Sequence, residues 1–313
     1  MGPVPEVVHE HRPVAGAVAV LVAVSIWGAM AVVIRWVDEI DGLVLGFHRL
    51  WIGATGTLAL FYALGRRLSW RSLRLSVPGG LAFGADIVLF FSALKHTTVA
   101  NATVVGALQP ILVFLIADRM FGEAVTRRLV VWSLIAIGGV AVVVYGSSGV
   151  PAWSVGGDLL AIAALVSWTA YFVASKRVRT ELPPFDYLAA LLLIAAVAVA
   201  PVALLSGQRL DPGGTEAWMW IVVLALGSGG VGHLLINWAH GHVELAVMSL
   251  LTLAVPVVAV LSAAVFLDEP VTWEQAVGMA IVLAALAVVA VQTARPRPPA
   301  PAIETEVVVE PVL

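Results

Sequence analysis

An aspartate, Asp86, stands in the middle of a long apolar run, between Phe83 and Phe90. An ionisable group inside a membrane span costs about 2.5–3.5 kcal/mol on insertion scales, so it needs a compensating role. Three roles are open: a proton or cation relay, a counter-ion for a substrate amine, and a structural pair with Arg49. His48 and Arg49 open the preceding apolar run. The Arg49 guanidinium suits bidentate binding of a substrate carboxylate, whereas a side chain this long also suits extension to the membrane interface.

A second polar set, His233, Asn237 and His240, is spaced at i, i+4 and i+7 in another apolar run. This spacing places the three side chains on one helical face, and the cost of polar groups against lipid predicts that this face points inward. Under the internal repeat described below, His233 is next to the position equivalent to Asp86. A proton shared between the two is one interpretation, and hydrogen bonding between helices is the other.

Five further residues complete the candidate set for a substrate or proton pathway. Asn101 and Gln109 belong to one apolar run, and we expect them to line a common cavity or to hydrogen-bond between helices. Trp27, Trp168 and Tyr171 are expected either to stack on a substrate and gate its cavity or to belong to the aromatic belt at the membrane interface.

Ten apolar runs must position these residues. A helix rising 1.5 Å per residue needs about 20 apolar residues to cross a hydrocarbon core of about 30 Å. The runs of suitable length are Ala15–Ile34, Leu43–Leu64, Pro78–Leu94, Ala100–Ala117, Leu129–Tyr145, Asp158–Ser175, Tyr187–Leu205, Trp218–Trp238, Ala246–Leu267 and Gln275–Val291. The sequence therefore predicts an all-α integral membrane protein with ten transmembrane helices.

Composition supports a membrane location and excludes several functions. The 313 residues are 61% hydrophobic and only 12% charged, about half the charged fraction of soluble domains. A net charge of -3 leaves no basic surface for nucleic acid. The absence of cysteine excludes disulfides, thiolate metal sites and cysteine nucleophiles. We predict no cofactor and no metal site.

The distribution of lysine and arginine predicts the orientation in the membrane. With the N-terminus inside the cell, thirteen of the 17 fall in cytoplasmic segments: Arg12, Arg66, Arg67, Arg71, Arg74, Arg119, Arg127, Arg128, Lys176, Arg177, Arg179, Arg295 and Arg297. Arg35, Lys95 and Arg209 fall outside, and Arg49 lies within a span. We therefore expect a multi-pass protein of the cell membrane, with residues 1–14 and the proline-rich, disordered residues 293–313 as cytoplasmic tails.

The chain also repeats itself. A shift of 146 residues places Pro110 on Pro256 and Glu123-Ala-Val-Thr126 on Glu269-Pro-Val-Thr272, and a shift of 141 places Arg35 on Lys176. Residues 15–145 and 158–292 form the two predicted halves, joined by an outer linker, 146–157. Five spans per half is an odd number, so the second half must enter the membrane from the opposite side, as in many secondary transporters. Both prolines are expected to kink their helices, and both glutamates to cap the helix that follows each.

Motifs in both halves resemble the EamA-type branch of the drug/metabolite transporter superfamily. They are Ser92-Ala-Leu-Lys95, Ala100-Asn101-Ala102, Pro110 and Gly122-Glu123 before Thr126; Ala246, Pro256 and Asp268-Glu269 before Thr272; Trp27-Gly28, His48-Arg49, and Gly157-Asp158 to Ser167-Trp168. The resemblance implies two inverted five-helix halves that move small organic solutes, often amino acids, outward. Asp86 and His233 depart from it, because small or apolar residues are expected at these two positions.

The sequence thus favours a secondary active transporter, not an enzyme, with a small organic metabolite and the lipid bilayer as its partners. Two other classes remain open: an intramembrane serine hydrolase centred on Ser148, within Gly146-Ser-Ser-Gly149, and a non-transporting membrane scaffold. The run Gly227-Ser-Gly229-Gly-Val-Gly232 matches a dinucleotide-binding pattern, but close helix packing is the better interpretation, because no βαβ unit surrounds it. Glycine-rich faces are also compatible with a homodimer.

Overall fold

The computed structural model describes residues 12–148 and 154–293. Every regular secondary-structure element in this part of the chain is a helix. The helices are α1 Pro13–Trp36, α2 Gly42–Ala63, α3 Trp70–Leu94, α4 Val99–Gly106, α5 Gln109–Phe121, α6 Arg127–Ser148, α7 Val155–Val178, α8 Pro184–Leu205, α9 Thr215–Leu224, α10 His233–Ala239, α11 Leu245–Leu251, α12 Val255–Phe266 and α13 Trp273–Thr293. Most of the two predicted tails and residues 149–153 of the linker lie outside the described residues.

Ten helical segments in the described residues are long and apolar enough to cross a membrane, which confirms the predicted number of spans. Some bounds differ from the prediction. The third span begins at Trp70 instead of Pro78, because Ser69 caps the helix by accepting a hydrogen bond from the Ser72 amide. The side chains on one face of α1 are large, apolar and exposed, and they suit contact with lipid: Val14, Val18, Leu21 and Val22.

Three spans are not continuous α-helices. The fourth is interrupted at Ala107 and Leu108, just before Pro110, and the ninth passes through a 3₁₀ turn, Thr252–Ala254, just before Pro256. The cause is shared, because a proline nitrogen carries no hydrogen to donate to the preceding turn. In the eighth span, Ala225–Gly232 forms a π-helix between α9 and α10. This wider segment coincides with the glycine-rich run.

The inverted repeat is visible in the local geometry of the two halves. The fourth span ends with Gly122 in the left-handed conformation and the ninth with Asp268, at φ of 64° and 53° respectively. The next amide, that of Glu123 or Glu269, then donates to the carbonyl six residues earlier over 3.4 Å in both cases. The same helix-ending motif therefore precedes a glutamate at each of the two ends of the bundle, Glu123 at one end and Glu269 at the other.

Close helix pairs hold the bundle together. Helix α3 packs against α7 and α8, α6 packs against α13, and α1 packs against α12 and α10. In the pair α6–α13, the two backbones approach where Gly139 faces Gly278. A Cβ atom added to Gly139 would lie 3.0 Å from the Gly278 carbonyl oxygen and 2.9 Å from a methyl carbon of Val282.

Replacing Gly139 with alanine is therefore expected to lower the free energy of unfolding by about 1–3 kcal/mol, because the added methyl group overpacks the contact between α6 and α13. Gly138 is the matched control. It is exposed, and a Cβ atom there meets no described atom within 4 Å. We expect Gly138→Ala to leave stability unchanged or to raise it slightly, because alanine favours a helix. Thermal unfolding in detergent compares the two variants, and equal melting temperatures would contradict this packing account.

Candidate functional site

Two opposite charges lie in the interior of the bundle, one on α2 and one on α3. Arg49 is in the second turn of α2, a helix that begins where the Asp41 carboxylate accepts a hydrogen bond of 3.0 Å from the Leu43 amide. Asp86 lies near the middle of α3, one turn after Phe83 and on the same face. The Arg49 guanidinium carbon lies 5.9 Å from the centre of the Phe83 ring. The two charges are close enough to interact electrostatically.

The two charges do not form an ion pair. Within residues 12–148 and 154–293, no Arg49 nitrogen lies within 4.0 Å of a carboxylate oxygen. The Nε atom of Arg49 is buried without a hydrogen-bond partner. The guanidinium lies beside Phe83, near the middle of α3, which does not match the expected extension to the membrane interface. Asp86 is half-buried and receives no hydrogen bond from any described residue. The structural pair proposed for these residues is therefore absent from the described geometry.

Aromatic rings surround a histidine beside these charges. The ring centre of His233 lies 4.6 Å from that of Phe83, 5.0 Å from Trp27, 5.6 Å from Tyr171 and 6.2 Å from Trp168. We call these four aromatic residues and His233 the central cluster. Four helices, α1, α3, α7 and α10, each contribute to it. The two tryptophans lie near the middle of their spans, so they do not belong to an interfacial belt.

Hydrogen bonds fix the orientation of the central cluster. A bond of 2.9 Å joins the Tyr171 hydroxyl to Nδ1 of His233, and the same hydroxyl lies 3.4 Å from Oδ1 of Asn237. The Nδ2 group of Asn237 is buried and has no partner among the described residues. The Trp27 indole donates to the Ser228 carbonyl over 3.1 Å, within the π-helical segment. A carbonyl of the π-helical segment therefore holds one ring of the cluster.

His48 points away from its neighbour Arg49. Nδ1 of His48 accepts a hydrogen bond of 2.8 Å from the Trp51 indole, so its protonated Nε2 donates to the Leu210 carbonyl over 2.7 Å. Leu210 lies in the loop between the seventh and eighth spans. His48 therefore anchors this loop to α2 and lies apart from the central cluster.

Asn101 and Gln109 hydrogen-bond to different neighbouring segments, as the second of the two expectations for them describes. The side-chain amide of Asn101 donates a hydrogen bond of 3.2 Å to the Asp158 carboxylate on α7. Gln109 begins α5, beyond the helix interruption, and accepts a hydrogen bond of 3.4 Å from Thr252. The interruption before Pro110 separates the two residues, and both contacts are of the alternative kind, hydrogen bonds between helices.

His233, Asn237 and His240 are all buried, as expected for a helix face that points into the bundle. His240 lies beyond the end of α10, its ring centre 5.2 Å from that of Phe172, and it interacts electrostatically with Lys176 and Arg179. The His240 backbone amide still donates to the Ile236 carbonyl over 3.0 Å, so His240 keeps helical geometry about two turns from His233 and lies outside the central cluster. No three His, Asp or Glu side chains in the described residues are grouped as metal ligands.

Two motifs differ from their sequence-based interpretation. Gly146, Ser147 and Ser148 continue α6 instead of forming a loop, and Ser147 accepts a hydrogen bond of 2.8 Å from Gln275. Glu123 does not cap the helix that follows it. Its carboxylate instead accepts hydrogen bonds from the Leu245 and Ala246 amides at the start of the ninth span.

Comparison with known proteins connects this arrangement to a family. The model of the EamA-like transporter family matches residues 14–145 and 155–291. The aromatic amino acid exporter YddG of Ancylobacter novellus is 29% identical over 250 residues, which cover 76% of this chain and 84% of that protein. An uncharacterized transporter of Archaeoglobus fulgidus is 25% identical over 275 residues, covering 87% of this chain and 97% of the relative.

Two more similarities are narrower. A probable terminal-alkyne amino-acid exporter of Streptantibioticus cattleyicolor is 34% identical over 133 residues, covering 42% of this chain and 43% of that protein. A crystal structure with a TM-score of 0.78 and 23% identity covers 91% of this chain and all of the solved chain. At this identity the solved structure supports the fold alone.

Proposed function

Since the chain belongs to the EamA-like transporter family, we propose that it is a secondary active transporter that exports an amino acid or a closely related zwitterionic metabolite. Its two inverted repeats would alternate a central site between the two sides of the cell membrane. The face that carries both termini would be cytoplasmic, because most lysine and arginine residues lie on that side.

The observation that carries this proposal is the pair of unpaired opposite charges at Arg49 and Asp86. A charge left without a partner inside a membrane protein is costly, and such charges commonly mark substrate and ion pathways. A zwitterion supplies both missing partners. Its carboxylate would accept paired hydrogen bonds from the Arg49 guanidinium, and its ammonium group would face Asp86. Without a zwitterion, only water would be available to pair with the charged groups of Arg49 and Asp86.

The central cluster supports a substrate with a large apolar or aromatic side chain. Phe83 lies next to Arg49, and Trp27, Trp168 and Tyr171 add aromatic surface around it. Aromatic pairs favour offset or edge-to-face contacts, and Trp27 and Trp168 already form one such contact at 5.7 Å. The Ancylobacter relative, named as an aromatic amino acid exporter, supports the same class of substrate.

Coupling to protons would run through Asp86 first and His233 second. The sequence contains no nucleotide-binding motif in a suitable context, so an ion gradient, exchange or the substrate's own gradient must drive transport. An acid inside a span is a common proton carrier. His233, whose Nδ1 bonds to Tyr171, is the second titratable group of the same region.

Uptake into proteoliposomes tests the proposal. Vesicles containing the purified protein receive a mixed pool of amino acids and related metabolites, with and without an imposed pH gradient, and all solutes are measured by mass spectrometry. We expect a few large apolar or aromatic amino acids to accumulate, and the pH gradient to change their rate. Protein-free vesicles give the background. No accumulation above that background from folded protein would overturn the proposed function.

A further inference from the structure

A buried ion pair closes the bundle at the face where α1 begins and α13 ends, here called the terminal face. Lys176 Nζ lies 2.6 Å from Oε1 of Glu123, whose side chain is only 5% exposed. Oε1 of Glu123 also accepts from the Leu245 amide over 2.8 Å, and Oε2 accepts from the Ala246 amide over 3.1 Å. Lys176 in turn donates to the Val243 carbonyl over 2.8 Å. These contacts tie the first half, through Glu123, to the start of the ninth span.

The opposite face, here called the far face, carries the equivalent residues in a different arrangement. Arg35 corresponds to Lys176 and Glu269 to Glu123. Arg35 pairs with Glu269 at 3.2 Å, but their side chains are 65% and 46% exposed. In the described residues, no hydrogen bond joins Glu269 to the amides of Val99 and Ala100, which correspond to Leu245 and Ala246.

The start of the fourth span is left to local capping at the far face. The Thr98 hydroxyl accepts a hydrogen bond of 3.1 Å from the backbone amide of Asn101, and the Val99 side chain is exposed. The backbone that presents Glu269 nevertheless matches the backbone that presents Glu123, with a left-handed residue followed by the same 3.4 Å hydrogen bond. Glu269 thus has the local geometry of its twin without the amide contacts.

We propose that Glu123 and Glu269 are twin latches that close in alternation, each by binding the two amides at the start of the equivalent span in the other half. In the state described here, the terminal-face latch is closed and the far-face latch is open. In the other state, Glu269 binds the Val99 and Ala100 amides while Glu123 releases those of Leu245 and Ala246. The role of this motion in carrying a solute rests on the proposed function. The alternation itself is a property of the fold and is measured separately.

The two latches differ in burial and in hydrogen bonding, and this difference predicts how substitutions shift the populations of the two states. An exposed ion pair contributes little to stability, whereas a buried pair with extra hydrogen bonds depends on both partners. Glu123→Gln weakens the closed terminal-face latch, so the population must shift toward the state in which the far face is closed. Glu269→Gln removes the carboxylate that holds that other state, so it must shift the population the opposite way.

Distances between two labels test the proposal in the full chain. The protein has no cysteine, so Val99→Cys and Val271→Cys, both at exposed far-face positions, accept nitroxide labels without further changes. Pulsed electron paramagnetic resonance in lipid nanodiscs then gives the distribution of distances between them. We expect Glu123→Gln to raise the ratio of short to long distances about tenfold. Glu269→Gln should lower this ratio.

Two outcomes would overturn the latches: no change in either variant, or a shift in the same direction in both. Glu269→Gln alters an exposed side chain, so its shift remains readable even where Glu123→Gln fails to fold. Wild-type uptake is measured on the unlabelled protein. Absent uptake with opposite distance shifts would remove the proposed function and keep the latches. Normal uptake with unchanged distances would support the proposed function and overturn the latches.

Discussion

Arg49→Met is expected to lower the rate of amino acid uptake on the order of 100-fold. The guanidinium would supply two hydrogen bonds to the substrate carboxylate, and a hydrogen bond to a charged group contributes about 1.5–3 kcal/mol. Methionine keeps an apolar side chain of similar length beside Phe83, so packing changes little. Initial uptake rates in proteoliposomes, normalised to the amount of folded protein, measure the effect.

Two further variants define what the loss at Arg49 means. Arg49→Lys keeps the charge but not the planar fork, so we expect a rate between those of the wild type and Arg49→Met. Arg128→Met removes an exposed arginine at the start of α6 and should leave uptake near the wild-type rate. An Arg49→Met protein that folds and transports normally would rule out Arg49 as the carboxylate anchor.

Asp86→Asn is expected to abolish the dependence of uptake on the pH gradient. Asparagine has nearly the same shape but cannot take up and release a proton in this way, so a carrier that uses Asp86 loses its coupling. It also lacks the charge that faces the substrate ammonium group, so the substrate concentration at half-maximal rate should rise at least about tenfold. Uptake along the substrate's own gradient, with and without a pH difference, separates the two effects.

Asp118→Asn is the matched control, because it removes an exposed acid near the end of α5. It should keep the full response to the pH gradient. His233→Gln tests the second candidate carrier in the same assay. A response to the pH gradient that survives in Asp86→Asn would show that Asp86 is not the carrier.

The sequence predicted the features that follow from hydrophobicity and spacing. The ten spans and the inverted repeat were readable because a bilayer demands long apolar helices, and because each half contains the same proline and glutamate signals. Asp86 and His233 were identifiable in the same way, since a polar group in an apolar run is conspicuous. The structure adds that both lie near Arg49, which interacts electrostatically with each.

Features set by contacts between helices could not be predicted. Nothing in the local sequence shows that Glu123 reaches the amides of Leu245 and Ala246 across the bundle. The π-helical segment arises where a glycine-rich run packs against Trp27 and α2, and glycines alone do not specify it. Asn101 and Gln109 fall in one predicted span, and the local sequence does not show that their partners are Asp158 and Thr252.

The most direct test of the central claim is a binding measurement on the purified protein. Titration calorimetry compares phenylalanine with its methyl ester, which has no carboxylate, and with N-acetylphenylalanine, which has no ammonium group. A site that holds a zwitterion between Arg49 and Asp86 should bind phenylalanine at least about tenfold more tightly than either derivative. In Arg49→Met the advantage over the ester should disappear. Equal affinities of the wild-type protein for all three compounds would contradict the account.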